Sequence, residues 1–314
     1  MPSVLITRRL PGAVVARVAE HCEVDLHAGE LPLSTDELHE RIAGKDGVVV
    51  LLPDRIDRAT IDAAGPRLKV IANVAVGHDN LDVEYARSRK IVCTNTPDVL
   101  TDAVADLTWG LILAITRRLG EGERLIRAGA WKGWTFDFML GTSLQWKQLG
   151  IVGAGRIGKA VAARAQAFGM QVAVSSRRDP GWPAAVFMPL DRLLGTSDVV
   201  SLHVPLTPET RHLINQPALA RMKRSAFLVN TTRGAVVDEA ALAWALREHL
   251  IAGAALDVFE HEPEVHPDLL SLESVVLVPH LGSGTRETRT AMADLAVTNV
   301  LAVLSGQPPL TPIR

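Results

Sequence analysis

The chain has 314 residues, of which 47% are hydrophobic and 22% charged, a balance typical of a globular protein with a buried core. A formal net charge of -2 provides no basic field for nucleic acid, and no segment reaches the roughly 18 uncharged apolar residues of a membrane span. The N-terminus lacks the pattern of a secretion signal. Cys22 and Cys93 are too few to form a disulfide framework, which favours a reducing cytoplasm. They also lack the close spacing of metal ligands, so we expect no bound metal. The length predicts two domains, because single cores tend to split beyond about 250 residues.

Short apolar runs alternate with helix-like stretches from residue 4 to about 95. The predicted strands are "VLIT", "VDLH", "GVVVLL", "LKVIANVAV" and "IVCTNT", and the predicted helices between them are "GAVVARVAEHC", "STDELHERIAG", "RATIDAAG" and "LDVEYARSRK". This alternation predicts a parallel sheet covered by helices on both faces. Ser34 and Glu37 have the spacing of a capping box at the start of the second helix.

Residues 98–130 read as one long helix, which is too long for a simple crossover and is apolar over much of its middle. After the aromatic-rich "WKGWTFDFML", a second α/β series begins with "QLGIVGAG". It continues with "VAVSS", "VVSLHVPL", "AFLVNTT", "AGAALDVF" and "VVLVPHLG". The sequence therefore predicts a second open parallel sheet.

The stretch "GAGRIG" directly follows an apolar strand and directly precedes a helix-forming segment. Gly153 provides a tight turn, Gly155 lets the backbone approach a pyrophosphate, and Gly158 lets helix and strand pack closely. The backbone N–H groups and the positive end of the helix then face the phosphates. With Arg156 and Ile157 in the same loop, the stretch predicts a dinucleotide site.

The next strand ends in "VSSRR", where a protein that binds NAD often has an acidic residue for the ribose hydroxyls. Ser176 stands in that place, followed by Arg177 and Arg178. A hydroxyl leaves room for a 2′-phosphate and the guanidinium groups can pair with it, so we predict that NADPH is preferred and NADH is possible. The alternative is that both arginines are only a solvated strand exit.

Three further side chains follow apolar strands: Arg233 in "LVNTTRGAVVD", Glu262 in "GAALDVFEHEP" and His280 in "VVLVPHLGSG". Ligands of open parallel sheets bind outside the carboxyl ends of the strands. We therefore expect these three side chains to converge. Each alone would be unremarkable, and only the set of three predicts a site.

The same segments resemble the family of D-2-hydroxyacid dehydrogenases. The resemblance covers nearly the whole chain, through "VGHDNLD", "VLTDAVADLTWGLIL", "LGIVGAGRIG", "HVPLTPETRHLIN", "VNTTRGAVVDEAAL", "GAALDVFEHEP" and "PHLGSGTRETR" in the family's order. It implies a flavodoxin-like substrate domain of residues 1–98 plus 285–314 and a Rossmann cofactor domain of residues 99–284. Both would be doubly wound α/β sheets, with the active site in the cleft between them.

The implied reaction is reversible hydride transfer between a nicotinamide and a 2-keto or 2-hydroxy acid. By resemblance, Arg233 binds the substrate carboxylate and polarises the keto oxygen. His280 would give that oxygen its proton and Glu262 would support the imidazolium, so reduction should weaken as the pH rises. Other positions that match the family's binding residues are Ala75, Val76 and Gly77 for the substrate carboxylate, Asp257 for the nicotinamide carboxamide, and Thr101, His203, Pro205, Thr210 and Thr231 for the rest of the cofactor.

Within the family, "WKGW", "GTSLQWKQLGIVGAGRIG" and the arginine-bearing edge are most similar to glyoxylate and hydroxypyruvate reductases. A dehydrogenase of bulkier keto acids and a dinucleotide-sensing corepressor-like protein remain the alternatives. The resemblance also implies a homodimer. The aromatic side chains from Trp131 to Phe138 would then either enter the neighbouring subunit's pocket or form part of the dimer interface.

Overall fold

The computed structural model describes residues 1–313, and the chain divides into two compact units. The first unit contains Met1–Leu100 and the chain from Thr285 onward, and the second contains Thr101–Gly284. Each unit is built on one parallel sheet. The predicted fold class, two open parallel α/β sheets, is confirmed.

The first unit has five strands: β1 (Ser3–Ile6), β2 (Glu23–Leu26), β3 (Gly47–Val50), β4 (Val70–Asn73) and β5 (Val92–Thr94). Its helices are α1 (Gly12–Ala19), α2 (Thr35–Ile42), α3 (Arg58–Ala64), α4 (Val83–Ser88) and the C-terminal helix Arg286–Leu304. All strand pairs are parallel, in the order β2-β1-β3-β4-β5, which is the flavodoxin-like order.

The inner strands of the first unit carry uninterrupted apolar runs because helices cover both faces of the sheet. Every residue of β3 is buried, as are Val4, Leu5 and Ile6 of β1. The predicted capping box is present. The Ser34 hydroxyl accepts the N–H of Glu37, and the Glu37 carboxylate accepts the N–H of Ser34.

The second unit has seven strands: β6 (Gln148–Val152), β7 (Gln171–Ser175), β8 (Ala185–Phe187), β9 (Val199–Leu202), β10 (Phe227–Asn230), β11 (Gly253–Leu256) and β12 (Val275–Leu277). Its helices are α5 (Thr101–Thr116), α6 (Leu119–Arg127), α7 (Arg156–Ala165), α8 (Leu190–Thr196), α9 (Gln216–Arg221), α10 (Glu239–Arg247) and α11 (Pro267–Leu270). The parallel order is β12-β11-β10-β9-β6-β7-β8. The direction of winding reverses between β6 and β9, and ligands of open sheets bind at such a switch point.

The prediction of one helix over residues 98–130 is wrong. Helix α5 ends at Thr116, and α6 begins after Arg118, which adopts a left-handed backbone with φ 56°. The sequence "RRLGEGE" spans the break, and its two glycines lie in the first turn of α6, where glycine lowers helix stability. Half of the residues of α5 are buried, whereas α6 buries none.

Strand β8 was not expected from the sequence. It has three residues, lies at the edge of the sheet and leaves Val186 and Phe187 exposed, so it carries no buried apolar run.

Both cysteines are buried free thiols, and burial raises the pKa of Cys93 to about 12. Over residues 1–313, no helix has the length and hydropathy needed to cross a membrane.

Candidate active site

Arg233, Glu262 and His280 follow β10, β11 and β12, which are neighbouring parallel strands. The carboxyl ends of parallel strands meet at one edge of a sheet, so the loops that carry the three residues are adjacent. Glu262 and His280 are in direct contact. The positive charge of Arg233 acts on Glu262 and contributes to lowering the pKa of that carboxyl.

The imidazole Nδ1 of His280 lies 2.9 Å from Oε2 of Glu262. The other carboxylate oxygen of Glu262 accepts the N–H of Phe259 at 3.0 Å, which fixes the orientation of the carboxylate. Burial acts to raise the pKa of Glu262, but other interactions hold this pKa below its usual value. They are the hydrogen bond and charge of His280, the hydrogen bond from the Phe259 N–H and the charge of Arg233. The side chains of His280 and Glu262 are 33% and 37% exposed, so a small molecule can reach the imidazole.

The loop that carries Arg233 is anchored at its backbone. The carbonyl of Arg233 accepts a hydrogen bond from the Asn230 side-chain amide at 2.9 Å, and Asn230 also accepts the N–H of Thr232. The Arg233 guanidinium donates to the Thr232 carbonyl at 2.8 Å. The guanidinium is therefore held close to the end of β10, where a planar cation can bind a carboxylate.

Gly234 brings the arginine loop into contact with the glutamate loop. A Cβ atom at Gly234 would lie 1.8 Å from the carbonyl carbon of Phe259 and 2.2 Å from the nitrogen of Glu260. Only glycine allows two backbones to approach so closely. The positions of Arg233 and Glu262 are thus coupled through backbone packing.

Asp257 fixes the backbone on the far side of His280. Its buried carboxylate accepts the N–H of Leu281 at 2.5 Å and the N–H of Gly282 at 2.8 Å. Burial is the main cause of the raised pKa of Asp257, and these two hydrogen bonds oppose it. His280 itself has a left-handed backbone, with φ 52°, and its N–H donates to the Asp257 carbonyl.

The glycine loop between β6 and α7 has the geometry of a phosphate cradle. Gly153 has φ 104°, and a Cβ there would lie 2.5 Å from the carbonyl oxygen of His203. A Cβ at Gly158 would lie 2.3 Å from the carbonyl oxygen of Gly153, whereas a Cβ at Gly155 would meet nothing within 4 Å. Gly155 is also the N-cap of α7 and provides no side-chain cap. The loop is therefore closed towards the protein and open at Gly155, which fits a dinucleotide pyrophosphate approaching the helix N-terminus. Of the other two loop residues, Arg156 is exposed and Ile157 packs against the core.

The arginine-bearing edge follows β7 directly. The Ser176 hydroxyl donates to the carbonyl of Arg178 at 2.5 Å, and the side chains of Arg177 and Arg178 are exposed. A hydrogen bond from Thr207 is the main cause of the lowered pKa of Glu209, and the charge of Arg177 adds to it. Arg177 therefore lies within electrostatic reach of the loop that follows β9.

The other expected cofactor residues lie around the switch point and the neighbouring loops. His203 is hydrogen-bonded to Ser201 at 2.9 Å, and burial lowers its pKa to about 3. The Thr210 hydroxyl donates to the Pro205 carbonyl at 2.6 Å and thereby closes the loop after β9. Two expected cofactor residues remain. The Thr231 hydroxyl is hydrogen-bonded to the Thr108 hydroxyl at 3.1 Å, and Thr101 is the first residue of α5.

Ala75, Val76 and Gly77 belong to the first unit, after β4. Their carbonyls accept hydrogen bonds from the Thr96 N–H and from the side-chain amides of Asn95 and Asn73, at 2.8, 2.8 and 2.9 Å respectively. Within residues 1–313, the N–H groups of Val76 and Gly77 donate to no backbone carbonyl. These donors suit an external carboxylate.

Glu239 was not predicted from the sequence as a residue of the site. This glutamate is the first residue of α10, is 5% exposed, and accepts N–H groups from the loop of Glu262. A signal was present in the sequence, because Glu239 shares one helix face with Leu242, Ala243 and Leu246, at the spacing of an apolar stripe. A charged residue on such a face needs hydrogen-bond partners.

Comparison with known proteins identifies the family. Residues 109–282 match the family model described as "D-isomer specific 2-hydroxyacid dehydrogenase, NAD binding domain". The chain belongs to this family of oxidoreductases. A glyoxylate reductase from Thermococcus onnurineus is 48% identical over 318 residues, which cover 99% of this chain and 95% of that protein.

Two solved structures extend the likeness to the whole fold. The crystal structure of the TT0316 protein from Thermus thermophilus has a TM-score of 0.95 and 49% identity, and the match covers 99% of this chain and 100% of that one. The NADPH-dependent glyoxylate/hydroxypyruvate reductase from Sinorhizobium meliloti, in complex with NADP and malonate, has a TM-score of 0.89 and 36% identity. That match covers 99% of this chain and 96% of that one.

Proposed function

We propose that this dehydrogenase reduces small 2-keto acids with NADPH or NADH, converting glyoxylate to glycolate and hydroxypyruvate to D-glycerate. The observation that carries the proposal is the hydrogen bond between His280 and Glu262, within electrostatic reach of Arg233. The relatives named glyoxylate reductase, at 48% identity over nearly the full length, support the same substrate class.

His280 acts as the proton donor. Its Nδ1 is engaged by Glu262, which leaves Nε2 to give a proton to the keto oxygen of the substrate. Glu262, whose pKa is held below its usual value, is ionised at neutral pH and balances the charge of the imidazolium. A nicotinamide cofactor, when bound at the glycine loop, would supply the hydride for the carbonyl carbon.

Arg233 binds the substrate carboxylate and polarises the keto oxygen. A guanidinium is always charged and offers several donors, so it stabilises the negative charge that develops on that oxygen. The N–H groups of Val76 and Gly77 in the first unit, with Ala75 beside them, are proposed as donors to a substrate carboxylate. Their open donors support this role, which stays a prediction.

The proposed cofactor site uses the glycine loop for the pyrophosphate. The open space at Gly155 and the uncapped start of α7 support it. We assign Asp257 to the nicotinamide carboxamide. The other proposed cofactor contacts are Thr101, Gly153, Arg156, Ile157, Gly158, His203, Pro205, Thr210 and Thr231.

We further propose a preference for NADPH, through Ser176, Arg177 and Arg178. The exposed guanidinium groups beside the end of β7, with no carboxylate at that position, support it. The test is a variant that combines Ser176→Asp with neutral residues at 177 and 178. The ratio of kcat/KM for NADPH to that for NADH should fall by at least about tenfold, the effect of losing one charge-assisted contact. An unchanged ratio means that the arginines are only solvated.

A homodimer is proposed from the surface of the second unit. Exposed apolar side chains cluster in α6 and the segment that follows it, namely Leu119, Ile126, Trp131, Trp134, Phe136, Phe138, Leu140 and Trp146. Aromatic residues are enriched at the cores of interfaces. Sedimentation velocity should show a dimer for the native chain and a monomer for Trp134→Ser with Phe136→Ser, whereas a native monomer contradicts the proposal.

The test of the function is the initial rate of reduction of glyoxylate, hydroxypyruvate and phenylpyruvate, compared as kcat/KM with each cofactor. The proposal expects the two small substrates to be reduced more efficiently than phenylpyruvate, by about tenfold or more. A preference for phenylpyruvate would favour a dehydrogenase of bulkier acids, and negligible turnover of all three would contradict the proposal. A cytoplasmic location, expected from the cysteine content, stays a prediction.

A further inference from the structure

Glu239 closes the loop that carries Glu262. One of its carboxylate oxygens accepts the N–H of Glu260 at 2.6 Å, and the other accepts the N–H of His266 at 3.2 Å. The two donors lie on either side of Glu262 in the chain. A single buried side chain therefore holds both ends of the segment that presents the proposed partner of His280.

The position of Glu262 depends on the path of this segment. The N–H of Phe259, directly before the segment, fixes one oxygen of Glu262, and the other oxygen is left for His280. If the segment moves, the distance of 2.9 Å between Glu262 and His280 changes with it.

Other contacts hold single ends of the segment: at the second end, His266 Nδ1 accepts the N–H of Asp268 at 3.4 Å and Val265 packs against the hydrophobic core. At the first end, the Glu260 carboxylate is bound by Arg211 at 2.8 Å and by His212 at 2.7 Å, and Gly234 packs against Phe259. Glu239 is the side chain that offers an acceptor oxygen to each end. Burying the Glu239 carboxylate costs desolvation free energy, which a glutamate exposed in the first turn of a helix would not lose. Two hydrogen bonds from backbone N–H groups offset this cost.

We propose that Glu239 is a positioning residue for the proton donor: it holds the carboxylate of Glu262 against Nδ1 of His280, where a negative charge stabilises an imidazolium. This role rests on the proposed function. The other charged groups that act on the His280 and Glu262 pair include Arg233, whose charge lowers the pKa of Glu262, and Asp257, which interacts electrostatically with both members of the pair.

The test is Glu239→Gln, which keeps the size of the side chain but offers only one acceptor to two N–H groups. In glyoxylate reduction, kcat/KM at neutral pH should fall about tenfold, since small displacements of positioned groups are costly. The pH at which kcat/KM declines on the alkaline side should move down by about one unit, because a loosened carboxylate supports the imidazolium less well. Glu248→Gln, an exposed position at the end of the same helix, is the matched control and should behave as the native chain.

A readout without turnover separates this inference from the proposed function. The titration of His280, followed by NMR on histidine-labelled protein and assigned with His280→Gln, should shift to lower pH in Glu239→Gln. An unchanged midpoint and an unmoved alkaline limb overturn the inference, even if glyoxylate is reduced. If glyoxylate is not reduced but the midpoint shifts, the proposed function fails and the positioning role stands. Should Glu239→Gln not fold, Glu239→Asp retains both oxygens on a shorter side chain. It must then show a smaller shift in the same direction, and no shift contradicts the inference.

Discussion

His280 and Glu262 lie on loops after neighbouring strands, and Nδ1 of the histidine is 2.9 Å from a carboxylate oxygen of the glutamate. The second oxygen of that carboxylate is fixed by a backbone N–H. The pair thus has one defined orientation, with the remaining imidazole nitrogen directed away from Glu262. A proton that leaves this pair for a substrate therefore leaves from Nε2.

Replacing Glu262 by Gln should change the pH dependence of reduction. Glu262 is charged at neutral pH, and because its pKa is lowered this charge is lost only at a pH below the usual range for glutamate. In the proposed mechanism His280 gives a proton to the substrate, so the rate of reduction should decline as the pH rises. Without the carboxylate charge, this decline should begin about one unit lower, and kcat/KM at neutral pH should fall by about tenfold or more. The measurement is the pH profile of glyoxylate reduction for both proteins, and superimposable profiles would refute the role of Glu262.

Arg233→Ala should lower kcat/KM for glyoxylate by about 10² to 10³, because it removes positive charge from the substrate carboxylate and from the developing alkoxide. Arg233→Lys retains the charge but not the planar pair of donors, and an intermediate loss is expected. Steady-state kinetics of the two variants provide the check. A near-native kcat/KM in Arg233→Ala would show that the guanidinium is misassigned.

Gly234→Ala should damage both stability and turnover. Its Cβ would lie 1.8 Å from the carbonyl carbon of Phe259, so the arginine and glutamate loops must move apart. Overpacking of this kind costs about 1–3 kcal/mol or more in the free energy of unfolding. Gly110→Ala is the matched control. No atom lies within 4 Å of a Cβ at this position in α5, so a neutral or slightly stabilising effect is expected. Equal thermal stability and activity of the two variants would contradict the tight contact.

His203 should make folding stability depend on pH between about 6.5 and 3. Burial lowers its pKa to about 3, so the folded chain keeps the imidazole neutral while the unfolded chain takes up a proton below about 6.5. Its contribution to stability is complete above that pH and is lost as the pH falls, by about 1 kcal/mol per unit. Urea unfolding at pH 7 and pH 5 should show a smaller loss for His203→Gln than for the native chain. Equal losses would contradict the burial of this ring as the cause.

The strands were largely predictable, because buried parallel strands require continuous apolar runs such as those of β3, β6 and β10. The break at Arg118 was not, since the helical pattern of residues 98–130 continues across it and only the left-handed backbone separates α5 from α6. Strand β8 is paired on one side only, and nothing in "AVF" distinguishes it from a loop.

The sequence was enough to predict which residues of the candidate site follow the ends of strands. The supporting contacts of the site were not predictable. Glu239 stands in "VVDEAAL", which reads as an N-cap followed by an acidic first turn, and that interpretation hides its burial. Gly234 likewise reads as a simple turn, because its contact with Phe259 depends on the path of a loop 25 residues further along the chain. Such contacts arise from tertiary packing and leave little trace in local sequence.

The most direct test of the proposed chemistry is the steady-state reduction of glyoxylate with NADPH by the native chain and by His280→Gln. A general acid contributes about 10² to 10⁴ to the rate, so the variant should lose about 10² or more in kcat while its thermal stability stays close to the native value. A kcat within a few-fold of the native enzyme would contradict the assignment of His280 as the proton donor.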